Sequence, residues 1–192
     1  MSQELDRRRV LVQSMGALLA APAVLRAGAA AAADRGDGFA RNNISSFRAQ
    51  DWRDHFDGLG KATIIADTAS RALHFWDASG SDYRVFPTSV PISEDLTRRG
   101  HTRVVRKRIG PDWTPTASMV ARNPTLKYMP PGPGNPLGTH AMYLDWPAYL
   151  IHGTHDTRKI GRPSSDGCIG LYNDMIAELF ALTPVGAQVL VL

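Results

Sequence analysis

The chain of 192 residues is almost without cysteine, because Cys168 is the only one. A single thiol excludes a disulfide within the chain and, with it, the small secreted folds that depend on several bridges. It also leaves no second cysteine for a C-x-x-C zinc motif. Cys168 is therefore either a small buried side chain or a group kept for its chemistry.

The chain also lacks a large excess of charge. Its formal net charge is +4, and residues 34 to 192 hold 18 basic against 16 acidic residues, a net of +2. This balance argues against a nucleic-acid-binding protein. The one basic concentration runs from Arg98 to Arg108, and its pattern Arg103, Val104, Val105, Arg106 indicates a strand with a solvated face. Contact with an anionic wall polymer is the weaker alternative.

No apolar run is long enough for an ordinary membrane span. The longest, Val10 to Leu25, is interrupted by polar and helix-breaking residues, and a spanning helix needs roughly 20 apolar residues. Paired arginines in "DRRRVLV" precede the run, and small residues follow it up to Ala33. This arrangement resembles a twin-arginine export signal, cleaved after Ala33.

An uncleaved membrane anchor is the alternative for this segment, and no cysteine directly follows the apolar run to form a lipoprotein anchor. We expect a protein of the periplasm or cell envelope, with no stable membrane span once the signal is removed.

The rest of the chain predicts one β-rich α+β domain, residues 60–192, after a linker at 34–59. Strands are predicted from β-branched and aromatic runs at 62–67, 71–77, 82–90, 102–110, 140–146, 148–153 and 187–192. A short helix is predicted within 114–124, capped by Thr114 or Thr116, and a longer one after an N-cap at Asn173. The proline- and glycine-rich stretch 129–140 predicts a shaped loop.

The only cysteine lies on a glycine turn that follows a histidine at a strand end. In "YLIHGTHDTRKIGRPSSDGC", His152 ends the apolar run and Gly167 precedes Cys168. A thiol with a pKa near 8.5 is mostly protonated at neutral pH, and a nearby imidazole can accept its proton and later return it to a leaving amine. Gly167 permits positive φ and leaves room for a substrate carbonyl near the Cys168 amide, where an oxyanion hole would form.

Spacing alone leaves other interpretations open. A packed histidine and a buried thiol would explain two such residues 16 positions apart. A metal site built from His152, His155, Asp156 and Cys168 is a further alternative. It is disfavoured because His152 and His155 would lie on opposite faces of a continuing strand.

At these residues the sequence resembles the L,D-transpeptidase catalytic domain (YkuD-like) family. The segment "IHGT…IGRPSSDGCIGLYN" is similar to the family signature, in which His-Gly is followed after a loop by Ser-His-Gly-Cys and then Asn. The likeness covers roughly residues 60 to 192. It implies a mainly β fold, a mixed-strand sandwich or barrel-like sheet with one or two short helices.

The resemblance implies a role for each matching residue. Cys168 would be the nucleophile and His152 its base and acid, with the Gly153 carbonyl orienting the imidazole. The Gly167 and Cys168 amides would form the oxyanion hole, and Asn173 would brace the cysteine turn. The thioester would form with release of D-alanine from a peptidoglycan stem peptide, and an amine of a second stem would resolve it as a 3→3 cross-link. We expect no metal or cofactor, and we expect the protein to be a monomer.

Two family-level alternatives stay open. Water in place of the amine would give an L,D-carboxypeptidase or endopeptidase, and loss of turnover would leave a non-catalytic wall-binding domain. The sequence departs from the signature at Asp166, where histidine is commonest, and at Gly170, where arginine is usual. We expect these two positions, with Asn173, to influence substrate binding. Asp166 could raise the thiol pKa or steady a protonated His152.

Overall fold

The structure, a computed structural model, describes residues 47–192. It contains ten strands, β1 to β10, and two α-helices, besides three short 3-10 turns at Trp52–Asp54, Glu94–Leu96 and Thr157–Lys159. The strands are Ala62–Asp67, Ala72–Asp77, Tyr83–Pro87, Val90–Pro91, Gly100–Ile109, His140–Leu144, Leu150–His152, Pro163–Ser165, Ile169–Gly170 and Gln188–Val191; helix α1 is Ala117–Arg122 and α2 is Asn173–Leu182. The predicted signal and residues 34–46 of the predicted linker lie outside the described residues.

Eight strands form one mixed sheet in the order β3-β2-β1-β10-β5-β6-β7-β9, and β4 pairs with β8 separately. The first three strands form an antiparallel meander. The last strand, β10, returns to the middle of the sheet, parallel to β1 and antiparallel to β5. At the far edge β9 lies parallel to β7. The predicted fold class, a β-rich sheet with two helices, is confirmed.

Apolar side chains cover both faces of this sheet. On one face, residues such as Ile64, Phe75 and Met142 pack with Ile176 and Leu179 of α2. Their sequence neighbours point to the other face, where one cluster includes Ile65 and Trp76 and another includes Leu137, Ala141 and Leu150. Burial on both faces explains why every residue of β1 is buried rather than every second one. No helix within residues 47–192 has the length and hydrophobicity to span a membrane.

The two helices differ in how they begin. Thr116 caps α1, because its hydroxyl oxygen accepts a hydrogen bond from the Met119 amide at 3.3 Å. The prediction that Asn173 caps α2 is wrong. Asn173 is the first helical residue, after Tyr172, and its Oδ1 instead accepts a hydrogen bond from the Thr139 amide at 3.1 Å. The side chain therefore ties the start of α2 to the loop before β6.

This contact predicts a stability effect with a matched control. Asn173→Ala should lower the free energy of unfolding by about 0.5–1.5 kcal/mol, because the Thr139 amide loses its acceptor. Asn173→Asp keeps the acceptor and adds a negative charge at a helix N-terminus, so it should stay close to the wild type. Urea unfolding followed by circular dichroism measures both. Equal losses for the two variants would contradict the assignment.

Candidate active site

The pairing of β7 with β9 brings His152 and Cys168 together. The two short strands are parallel, with Ile151 opposite Ile169 and His152 opposite Gly170. Continuing this register places Leu150 beside Cys168. Because alternate residues of a strand share a face, His152 and Cys168 lie on the same face of the sheet. Both side chains line one cavity.

The His152 imidazole is held in one orientation and stays neutral. Its side chain is buried, and Nδ1 lies 2.5 Å from the Gly153 carbonyl oxygen. An acceptor there requires the proton on Nδ1, which leaves the Nε2 lone pair free to accept a proton. Burial lowers the pKa of His152 to about 4, with a smaller contribution in the same direction from Lys159 and an opposing one from the Gly153 hydrogen bond.

The Cys168 thiol is also neutral in this state. It is partly exposed and free of any disulfide, and Sγ lies 3.5 Å from the Ala148 carbonyl oxygen, to which it donates. Burial raises the pKa of Cys168 to about 11; a hydrogen bond from the Leu150 backbone opposes this rise and the Asp166 charge adds to it. Of the two effects considered for Asp166, the structure thus favours the raised thiol pKa.

A strained turn and a glycine shape the surroundings of the sulfur. Ala148 has a φ of 60°, an unfavourable value for a residue with a Cβ, and this conformation presents its carbonyl to the thiol. Gly167 has a φ of 129°, and a Cβ there would lie 3.2 Å from the Tyr149 ring. Among the described residues, the Cys168 amide donates to no acceptor, so it is available to a substrate oxyanion.

Two cavities meet at Cys168. The larger, about 380 Å³, extends from the sulfur toward Tyr143 and Arg106. The smaller, about 220 Å³, contains His152 together with Asp166 and Lys159. Residues 111–139, which we call the covering segment, supply Trp113, Met119 and Leu137 to both cavities.

The covering segment is fixed by polar contacts of its own. The backbones of Trp113 and Met129 exchange two hydrogen bonds of 2.9 Å. The buried Asn135 carboxamide donates to the Pro111 and Pro130 carbonyls at 2.9 and 3.0 Å. The predicted proline- and glycine-rich loop is therefore a rigid wall of the site, and its Pro136 and Leu137 face the smaller cavity.

Asp166 and Gly170, the two residues that depart from the family signature, each contact a specific neighbour in the structure. The Asp166 carboxylate pairs with Arg122 of α1 at 2.5 Å, which joins the cysteine turn to the covering segment. Gly170 faces Ser89, since a Cβ at position 170 would lie 2.4 Å from the Ser89 hydroxyl and 3.9 Å from the His152 ring. The hydroxyl of Ser89 therefore occupies the space in which a larger residue 170 would begin.

Asn173, also expected near the substrate, lines a cavity with Gly138 and His155 that does not include Cys168. Its carboxamide contacts the loop before β6, as described above. The resemblance implies a brace for the cysteine turn; the hydrogen bond that the structure shows braces the loop before β6.

The proposed metal ligands do not converge. Asp156 pairs with Arg158 at 2.8 Å, and His155 is exposed. Within residues 47–192 no group of three or more histidine, cysteine, aspartate or glutamate side chains is arranged to hold a metal ion.

Several residues of this site were not found from the sequence, namely Ser89, Arg106, Ala148 and Tyr149. Ser89 reaches the site through an isolated bridge to Gly170, a contact between positions distant in the chain. Ala148 follows Pro147 in a turn whose Tyr149 amide donates to the Trp146 carbonyl. A proline at the second turn position was the one local signal available for this turn.

Comparison with known proteins places this geometry in a family. A family model described as the L,D-transpeptidase catalytic domain matches residues 61–191. A Fuscovulum blasticum protein whose name places it among the L,D-transpeptidases is 61% identical over 196 residues, which cover 100% of both chains. "Probable L,D-transpeptidase YbiS" of Escherichia coli K12 is 36% identical over 132 residues, 66% of this chain and 43% of its own. The chain thus matches less than half of that second relative.

Solved structures show the same fold at low identity. An L,D-transpeptidase from Mycobacterium smegmatis has a TM-score of 0.55 at 19% identity, over 69% of this chain and 58% of its own. L,D-transpeptidase 3 from Mycobacterium tuberculosis, in complex with a faropenem-derived adduct, has a TM-score of 0.54 at 14% identity, over 68% and 60%.

The two shifted pKa values predict the pH dependence of thiol reactivity. Because the thiolate is the reactive form and the pKa of Cys168 is about 11, alkylation by iodoacetamide should accelerate about tenfold per pH unit from pH 7 toward pH 11. Mass spectrometry of the alkylated protein gives the rate at each pH. A plateau between pH 5 and pH 8 would instead indicate a preformed thiolate–imidazolium pair and contradict the neutral state.

Proposed function

The chain belongs to the L,D-transpeptidase catalytic domain family of enzymes, and we propose that it is a cysteine acyltransferase acting on peptidoglycan stem peptides. In this proposal Cys168 forms a thioester with the stem and releases D-alanine. An amine of a second stem then takes the acyl group and completes a 3→3 cross-link.

One observation carries the proposal. The only thiol of the chain and an imidazole with a free Nε2 lie on one face of two paired strands and open into the same cavity. No hydrogen bond joins the two groups within the described residues, and the sulfur points to Ala148. Such contacts are often loose before substrate binds and shorten in the reacting complex.

The neutral states define the first chemical step. As Sγ attacks the carbonyl carbon of the scissile amide, the thiol proton passes to Nε2 of His152, and the carbonyl becomes an oxyanion that the Cys168 amide can stabilise. The imidazolium then gives this proton to the departing D-alanine amine as the C–N bond breaks. The incoming amine attacks the thioester, His152 accepts its proton, and the proton returns to the released thiol.

The acceptor distinguishes the possible overall reactions. Resolution of the thioester by water would make the chain an L,D-carboxypeptidase or endopeptidase, and resolution by a stem amine a transpeptidase. We favour the amine, because the family model and the relatives that the chain matches are described as L,D-transpeptidases. A domain of this fold that only binds the wall would not acylate.

The central test is acylation. Incubation with a disaccharide tetrapeptide, or with a penem of the kind bound in the mycobacterial relative, should give an adduct on Cys168 by mass spectrometry. Cys168→Ser should give none, because no thiol remains. His152→Ala should acylate about 10² to 10⁴-fold more slowly, because it lacks the general base. His101→Ala serves as the control, since it removes an exposed histidine outside both cavities.

The outcomes separate the candidate functions. Adduct formation followed by transfer to an added stem amine supports the transpeptidase, whereas transfer to water alone supports the hydrolase. A thiol that reacts with iodoacetamide while neither the tetrapeptide nor the penem acylates it would indicate a wall-binding domain.

We also propose that the protein works in the cell envelope after export by the twin-arginine signal of residues 1–33. The support is the paired arginines, the short apolar run and the small residues before Asp34. The double variant Arg7→Lys, Arg8→Lys should leave the precursor uncleaved in the cytoplasm, as cell fractionation would show. Normal export of this variant would point to the general secretory route or to an anchor.

A further inference from the structure

The cavity on the far side of Cys168 contains an arginine to which the mechanism assigns no role. Arg106 of β5 lines the larger cavity together with Tyr143, Leu150 and Cys168. Its guanidinium lies over the Tyr143 ring, 3.6 Å from the ring centre. Stacking of this kind holds the planar group in place while its N–H donors stay available at the edge.

These four residues form one row across the sheet. Arg106 is opposite Tyr143, Tyr143 is opposite Leu150, and Leu150 stands beside Cys168 in the continued register. The α-carbons of Arg106 and Cys168 are three strand spacings apart, which is about 14 Å. The arginine side chain lies over Tyr143 and therefore extends toward the sulfur. A substrate group about two residues from the acyl carbon would reach the guanidinium.

A β-bulge turns Arg106 toward this row. Val104 pairs with Leu144 and Arg106 with Tyr143, so that Val105 is an extra residue in β5. Regular alternation would place Arg106 on the same face as the buried Val104. The bulge sends it to the opposite face, where the cavity lies, and bulges beside active sites commonly redirect a side chain in this way.

Arg106 differs from the neighbouring arginines in its partners. Arg108 also lines the cavity but pairs with Asp112, and Arg103 pairs with Asp145 at 3.0 Å outside both cavities. Within residues 47–192, Arg106 has no carboxylate partner. The N–H groups of its guanidinium are therefore free to bind a carboxylate supplied by a ligand.

The position of His152 decides which part of the substrate meets Arg106. His152 lines the smaller cavity and does not line the larger one. The leaving amine and the incoming amine must both exchange a proton with His152, so they occupy the smaller cavity. The acyl part of the donor, on the other side of the scissile carbonyl, then extends into the larger cavity.

We propose that Arg106 is a specificity-determining residue that binds a free carboxylate on the acyl part of the donor peptide. Diaminopimelate attacked at its L-centre still carries the carboxylate of its D-centre, and the residue before it can offer another. This inference rests on the proposed function and assigns the larger cavity to the donor.

The experiment compares donor peptides with and without the charge. The stem tetrapeptide is used with its donor carboxylates free, with the diaminopimelate carboxylate amidated, and with the preceding carboxylate amidated. Acylation of Cys168 in the full-length protein is measured by mass spectrometry for the wild type, Arg106→Gln and Arg106→Lys. Arg103→Gln is the matched control, because it removes an arginine from the same strand outside the cavity. Iodoacetamide, which is uncharged, reports on the thiol itself.

For the wild type, kcat/KM for acylation of Cys168 should be about tenfold higher with the free peptide than with one of the two amidated peptides. A tenfold effect is the size expected for one hydrogen-bonded charge pair. Arg106→Gln should lose about tenfold with the free peptide and little with that amidated peptide, which removes the discrimination. With the free peptide, Arg106→Lys should acylate at a rate between those of the wild type and Arg106→Gln, because lysine keeps the positive charge but lacks the planar guanidinium. Added salt should reduce the preference of the wild type. Arg103→Gln and all rates with iodoacetamide should stay near the wild type.

Two results would overturn the inference while leaving the proposed function intact: equal acylation of the wild type by all three peptides, or an equal loss in Arg106→Gln with every peptide. If iodoacetamide alkylates Cys168 but no peptide acylates it, the proposed function fails and the role of Arg106 falls with it.

Discussion

The pairing of two very short parallel strands is the constraint on which the site depends. β7 and β9 share only two register pairs, yet this pairing converts a separation of 16 residues into a shared face for His152 and Cys168. Parallel neighbours require a crossover connection, here the polar stretch from Gly153 to Gly167. The strands persist because Ile151 and Ile169 are buried in the core. The apolar residues thus hold His152 and Cys168 in place, and the connection remains free to shape the cavity.

Burial of the pair determines its charge state. Desolvation disfavours both a thiolate and an imidazolium, so it raises the pKa of Cys168 and lowers that of His152. Both groups are therefore neutral in the resting site. Ala148 fits this arrangement, since its carbonyl accepts a hydrogen bond from the protonated thiol.

The sequence was sufficient for most of the strands and for the choice of His152 and Cys168 as candidate residues, because both follow local rules. It did not predict β8 or β9, which have only three and two residues and form through pairing with distant strands. Period, turn residues and the Gly-Cys motif locate β1 to β3, β10 and Cys168 without knowledge of the packing. It was insufficient for Asn173, whose carboxamide prefers Thr139 to its own helix. It was also insufficient for Arg106, because nothing local marks Val105 as a bulge; the register of β6 creates it. Contacts between distant strands and loops account for both failures.

The two departures from the family signature act on different parts of the structure. Gly170 lies beside the imidazole of His152, where Ser89 from the β4 region fills the space, so this change alters the wall next to His152. Asp166 faces outward and pairs with Arg122, which links the cysteine turn to the covering segment. An exposed ion pair is worth only about 0.2–1 kcal/mol, so it cannot hold that segment alone. Buried Asn135 and the Trp113–Met129 pairing hold it. Asp166 therefore acts through its charge at the smaller cavity, where it adds to the raised pKa of Cys168, while the sheet that carries Cys168 is left unchanged.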